Sequence, residues 1–322
     1  MELTSAATRR PTVFSVSEIS DGHPAIRQTG SERSLPLVVM AVVVVVWGLG
    51  PPITKLVTAP PLIGTFIRFG ISSPLLLVVL AVRGRVLSRK VLLATALPGL
   101  SFGINLIFVF SALQEATVSV LSTVVAMQPA LLLVLAGPLF REYPSGRQLA
   151  FTLLGVVGAV GVILGAGSQV GSSWLGVGFA ALALATFTLY FVLTRLARVD
   201  DEVDPIEWMA GINIWSFLST IVPILFLADR SDWAQFGGID WLWISVVAFV
   251  TGVFGHVLMT WLHGHLEAAR SSLYILTMHL VAVGLAWWIH DEPITWLQGM
   301  SGGVVLVCVA LVVTAPDRRE VQ

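Results

Sequence analysis

One full charge stands deep in an apolar run: Arg68, within PLIGTFIRFGIS at residues 61–72. An arginine at the centre of a membrane helix costs at least ~2.5 kcal/mol on insertion scales. Its planar fork of N–H donors matches a carboxylate or phosphate two bonds at a time. The neighbouring apolar runs offer no Asp or Glu at similar depth. Arg68 is therefore left with backbone carbonyls, water, polar side chains such as Asn105 or Gln128, or an anionic ligand. The plainer alternative is an arginine that snorkels to an interface or pins neighbouring carbonyls.

A second disturbance lies upstream, in WGLGPP at residues 47–52. Proline has no N–H and clashes with the carbonyl four residues back. Pro51 thus frees the carbonyl of Trp47, and Pro52 that of Gly48. In a bilayer such carbonyls are tolerated only against protein or a water-filled cavity. The stretch reads as a broken helix that lends Trp47 and Gly48 to a cavity and bends at Gly50, Pro51 and Pro52; the alternative is a static kink. Pro129 repeats the logic, freeing the carbonyl of Val125, with Gln128 beside it as a ligand contact or a helix-to-helix hydrogen bond. Tyr190 is a ligand contact or part of an interfacial belt.

His279 and His256 fall inside apolar runs, where a group titrating near neutral pH can carry a coupling proton or serve as a structural donor. His263 and His265 form an H-x-H with no Cys or carboxylate cluster to complete it, so no metal is expected. Glu142 and Glu292 close apolar runs beside prolines and read as loop anchors. GMSGG at 299–303 fits G-x-S-x-G but lacks the strand-to-helix elbow, and no histidine follows Ser301 to serve an intramembrane protease. GVGFAA at 176–181 has no preceding strand and opens an apolar run, so it is no dinucleotide fingerprint. Neither lysine, Lys55 or Lys90, follows a glycine, so there is no P-loop. No cofactor is expected, and a single cysteine, Cys308, excludes an intrachain disulfide.

These residues need a frame. The chain of 322 residues is 56% hydrophobic and 11% charged, with a mean hydropathy of +0.88. Soluble domains carry roughly 25% charge, so this is a multi-pass membrane protein whose first partner is the lipid bilayer. Its net charge of −1 gives no sign of nucleic acid. About 20 apolar residues cross a bilayer, and the charged or Gly/Pro-rich breaks leave ten such runs, near 35–57, 61–82, 91–112, 117–139, 147–167, 174–194, 206–227, 240–262, 271–290 and 295–315. Residues 1–34 and 316–322 are expected as cytoplasmic tails, the first of them flexible. With that orientation 15 of the 18 Lys and Arg fall inside, Lys55 and Arg230 fall outside, and Arg68 lies within a span, as the positive-inside rule requires. Both termini are then cytoplasmic, in a cell (inner) membrane.

The halves echo each other. Thr54-Lys55-Leu56 returns as Thr194-Arg195-Leu196, Glu142-Tyr143-Pro144 is matched by Glu292-Pro293, and ALQEA at 112–116 resembles HLEAA at 265–269. Two halves of five spans, 35–167 and 168–315, would enter the membrane from opposite sides. Inverted repeats of this kind are a transporter signature with a midplane site between them. Gly155, Gly158, Gly161 and Gly165 pave the fifth span for close helix approach, either within the fold or in a homodimer.

WG before a disrupted turn, FIRF at 66–69, and AL-x-x-A at 112–116 leading to MQPALLLVLAGPLFREYP at 127–144 resemble the EamA family of the drug/metabolite transporter superfamily. The second half is more degenerate: Met278-His279 stands near the family's mid-span proline, and WIHDEP keeps only the glutamate. The resemblance implies an all-α fold of ten transmembrane helices in two inverted five-helix repeats, and a carrier, most often an exporter, of small metabolites. The expected function is alternating-access export of a small polar metabolite with an anionic group, such as an amino acid, coupled to protons. A membrane-embedded enzyme and a non-transporting receptor or channel are the alternatives.

Overall fold

Apolar runs this long satisfy their backbone in lipid only by coiling into helices, and the chain does so. The structure, a computed structural model, describes residues 30–128, 131–132, 135, 139, 146–166, 172–197, 203–263 and 268–313, and among these there is no strand. The expectations for residues 1–29, Pro129, Glu142, the His263–His265 pair and the C-terminal tail lie outside the described residues or side chains.

The first run is α1 (Gly30–Gly48) and α2 (Gly50–Lys55), parted at Leu49. It starts at Gly30, so the last five residues of the expected tail, 30–34, are helical. Next come α3 (Pro61–Val82), α4 (Arg89–Ala94), α5 (Ala96–Glu115) and α6 (Val118–Val125). The chain continues with α7 (Gly146–Ala166), α8 (Trp174–Ala197), α9 (Pro205–Leu227) and a short α10 (Arg230–Gln235). Then α11 (Asp240–Val246) runs through a π-helical segment, Val247–Phe254, into α12 (Gly255–His263). The last two are α13 (Ala268–His290) and α14 (Trp296–Val313). Among the described residues six stretches are long and apolar enough to cross a membrane: Leu35–Lys55, Pro61–Val82, Ala96–Glu115, Trp174–Thr194, Pro205–Leu227 and Asp240–Met259.

Helix starts follow local chemistry. Ser88 Oγ accepts from Val91 N (3.3 Å) and Thr117 Oγ1 from Val120 N (3.3 Å). Asp204 Oδ1 accepts from Ile206 N at 2.8 Å, with Pro205 at the first helical position, where its missing N–H costs nothing.

Small residues set the helix crossings. A Cβ on Gly99 would lie 2.8 Å from Ile212 O, and one on Gly103 would lie 2.6 Å from Ser216 O, so α5 and α9 touch backbone to backbone. Ser216 Oγ donates to Gly99 O at 2.8 Å across that contact. Gly158 and Gly161 meet Ser301 and Val305 of α14, so this part of the glycine-paved face is used inside the fold. Phe69, Leu76, Leu80, Phe102, Leu106 and Ile212 belong to one buried cluster, between α3, α5 and α9. On the outside, Leu153, Val157, Leu225, Phe226, Trp287 and Trp288 stand exposed, an apolar belt far larger than water tolerates on a soluble monomer.

Candidate functional site

Helical phase runs on across Leu49, through the Leu49 N to Val45 O and Ile53 N to Leu49 O bonds, and sorts α1 and α2 into two faces. Trp47, Gly50, Pro51 and Thr54 follow i, i+3, i+4, i+7 and line a cavity of about 200 Å³. Gly48 and Pro52, four apart, face α13 instead. A Cβ on Gly48 would stand 2.7 Å from Val281 Cγ1, and Pro52 O accepts from His290 Nε2 at 2.8 Å. The expectation that Gly48 joins Trp47 on the cavity is thus corrected by helical phase.

Arg68, the eighth residue of α3, is 8% exposed and lines the same cavity. Its Cζ lies 5.6 Å from the Phe69 ring centroid, and a Cβ on Gly252 of the π segment would be 3.8 Å from its Nη2. Among the described residues it has no hydrogen-bond partner and no carboxylate in ion-pair reach. None of the described residues lining the cavity is Asp or Glu.

Trp47 Nε1 is buried with no acceptor among the described residues, and its ring packs 5.2 Å from that of His256. A Cβ on Gly255 would come within 2.5 Å of that nitrogen, so the glycine makes the approach possible. His256 Nδ1 donates to Thr251 O at 3.2 Å, where the π segment offers it. Asn105 donates through Nδ2 to Ala183 O (2.7 Å) and Thr186 Oγ1 (3.3 Å). His279 lines this cavity and also a second one of about 330 Å³ between α6, α13 and α14. There Ser119 Oγ, Ser122 Oγ and Gln298 Nε2 have no partner among the described residues. Phe102, Phe110, Phe187 and aliphatic side chains complete the central wall.

Of the expected residues, the fold brings Trp47, Gly50, Pro51, Arg68, Asn105, His256 and His279 to one cavity. Tyr190 stands behind it, packed on Phe102 (4.9 Å) and Phe187 (6.0 Å). Gln128 is buried but off the described lining, with Nε2 unpartnered among the described residues. The reason is local: regular α6 ends at Val125, and the Met127 N to Val124 O bond (3.1 Å) tightens the turn and shifts the phase. Thr54, Ser122 and Thr251 line the cavity without having been singled out in the sequence; Thr251-Gly252 inside an apolar run was the available signal.

One residue beyond Thr54, Lys55 Nζ meets Glu292 Oε1 at 2.6 Å and donates to Ala116 O at 2.9 Å. Glu292 also accepts from Val118 N, at 2.9 Å through Oε2. With the His290–Pro52 bond, this ties α2 to α13 and α6, which all contribute to the cavity wall.

The profile of the EamA-like transporter family matches residues 34–164 and again 174–314. A curated protein, the protein-methionine-sulfoxide reductase heme-binding subunit MsrQ of Ralstonia nicotianae, is 28% identical over 131 residues, 37% of this chain. The chain spans 59% of the length of that relative. A solved structure whose title says only that it is a crystal structure of a protein superposes with a TM-score of 0.60 at 18% identity, covering 90% of this chain and 99% of that one. At that identity the likeness is one of fold.

Proposed function

The chain belongs to the EamA-like transporter family, and from that premise we propose that it is a secondary carrier moving a small metabolite with an anionic group across the cell (inner) membrane by alternating access. The observation that carries the reading is Arg68: a buried guanidinium, without a protein partner among the described residues, on a cavity whose described lining has no acid. A buried charge left unpaired is costly, and a bound carboxylate or phosphate would satisfy it.

The architecture proposed is ten transmembrane helices in two inverted five-helix repeats, with both termini cytoplasmic. Support comes from the double match of the family profile and from the placement of Lys and Arg along the sequence. In this scheme the Gly50–Pro52 bend flexes as the halves rock, the cargo leaves the cell, and His279 or His256 carries a coupling proton. The glycine-paved helix leaves room for a homodimer only beyond the positions already packed on Ser301 and Val305.

Purified protein in liposomes tests the reading. A carrier gives saturable counterflow of an anionic metabolite, stimulated by unlabelled cargo on the opposite side. Current without counterflow would make it a channel, and turnover of the metabolite without a sealed vesicle would make it an enzyme.

A further inference from the structure

The charge of the central cavity is lopsided. Arg68 supplies N–H donors and a full positive charge, and the other polar groups of the described lining, Thr54, Asn105, Ser122, Thr251, His256 and His279, include no carboxylate. Asn105 uses Nδ2 within the fold and leaves one neutral oxygen. No carboxylate balances a second cation among the described lining, and the rest of the wall is Phe102, Phe110, Phe187, Leu106, Val109 and other apolar side chains. The space, about 200 Å³, falls below the ~300 Å³ at which drug-sized sites begin.

We propose that the cargo is an apolar-bodied organic acid without an ammonium group: a small aryl- or branched-alkyl carboxylate rather than a zwitterionic amino acid. This rests on the carrier reading above and narrows it. A carboxylate is acceptor-only, so it answers the Arg68 donors and adds no second positive charge to the cavity. Its apolar body is received by the phenylalanines. An ammonium on the same cargo would be desolvated beside Arg68 with no acid to compensate it, and like charges in a dry site repel strongly.

A matched set isolates each group: hydrocinnamate has ring and carboxylate, phenylalanine adds the ammonium, and phenethylamine keeps only ring and ammonium. Isocaproate replaces the ring by a branched chain. Binding is read by thermal shift and by competition in counterflow, on wild type and on Arg68→Met. Hydrocinnamate and isocaproate are expected to bind at least tenfold more tightly than phenylalanine, phenethylamine to give no shift, and Arg68→Met to lose the acid-induced shift. Phenylalanine binding as tightly as hydrocinnamate, with both dependent on Arg68, overturns the acid-only cargo and leaves the anion carrier standing. Acids that bind wild type and Arg68→Met alike overturn both. Should Arg68→Met fail to fold, the ligand series on wild type decides alone, and no shift from either acid overturns the proposal.

Discussion

At the scale of single residues, the molecule uses buried charge in two opposite ways. Glu292 is fully answered, by Lys55 and by the Val118 N–H, whereas Arg68 is answered by nothing described in the chain. The two should respond differently to mutation. Lys55→Met leaves a buried carboxylate with one backbone donor and is expected to lower stability by ~1–3 kcal/mol. Glu292→Gln, which can still accept from Val118 N, is expected to cost less. Chemical or thermal unfolding of the double variant should show less than the sum of the two losses; additive losses would mean that the pair is not coupled. Arg68→Lys keeps the charge but loses the planar fork. It is expected to leave apo stability near wild type and to weaken binding of an anionic ligand at least tenfold, read by thermal shift. An unstable apo protein would instead make Arg68 a structural residue.

At the scale of helices, crossings depend on absent side chains. Gly103→Val pushes a branched side chain into Ser216 and Ser219 of α9 and is expected to destabilise by ~1–3 kcal/mol. Gly178→Val, with nothing within 4 Å of its Cβ position, should stay within ~0.5 kcal/mol of wild type. Equal losses in the two would show that glycine content, not contact, sets the effect. Replacing Pro51 and Pro52 together by alanine restores two backbone donors, so stability should hold or rise while counterflow slows; unchanged counterflow would make the break a static kink. The elements also show what a sequence carries and what it hides. Arg68, Trp47, Asn105, His256 and His279 are legible because a polar group in an apolar run is conspicuous by itself. Gly48 was misplaced because helical phase runs on through the break and turns it toward α13, and Gln128 because a tightened turn shifts that phase; composition does not record phase. Lys55 and Glu292 are 237 residues apart, so only the folded chain makes them neighbours. The π segment adds its extra residue per turn without a proline to announce it.

At the scale of the whole molecule, orientation is open to direct measurement. In a Cys308→Ser background, Ser231→Cys is expected to label from outside and Ser88→Cys from inside; labelling of both from one side would end the inverted-repeat scheme. If that scheme holds, the Lys55–Glu292 bridge has a counterpart written in the sequence. The repeat that aligns Lys55 with Arg195 also aligns Glu292 with Glu142, so each half owns one cation and one acid. An inverted duplicate of this kind carries two bolts of matching chemistry, one for each face, and drawing one back favours the other. Bolts of similar strength would leave the two orientations close to balanced and let a weakly held cargo decide between them, since a ligand shifts an equilibrium only by its differential affinity. Glu292→Gln and Glu142→Gln should therefore bias the molecule in opposite directions. A cysteine at Thr54, on the cavity wall, would report the bias as faster labelling from outside in the first variant and slower in the second. Movement in the same direction would show that the two faces are not antagonists.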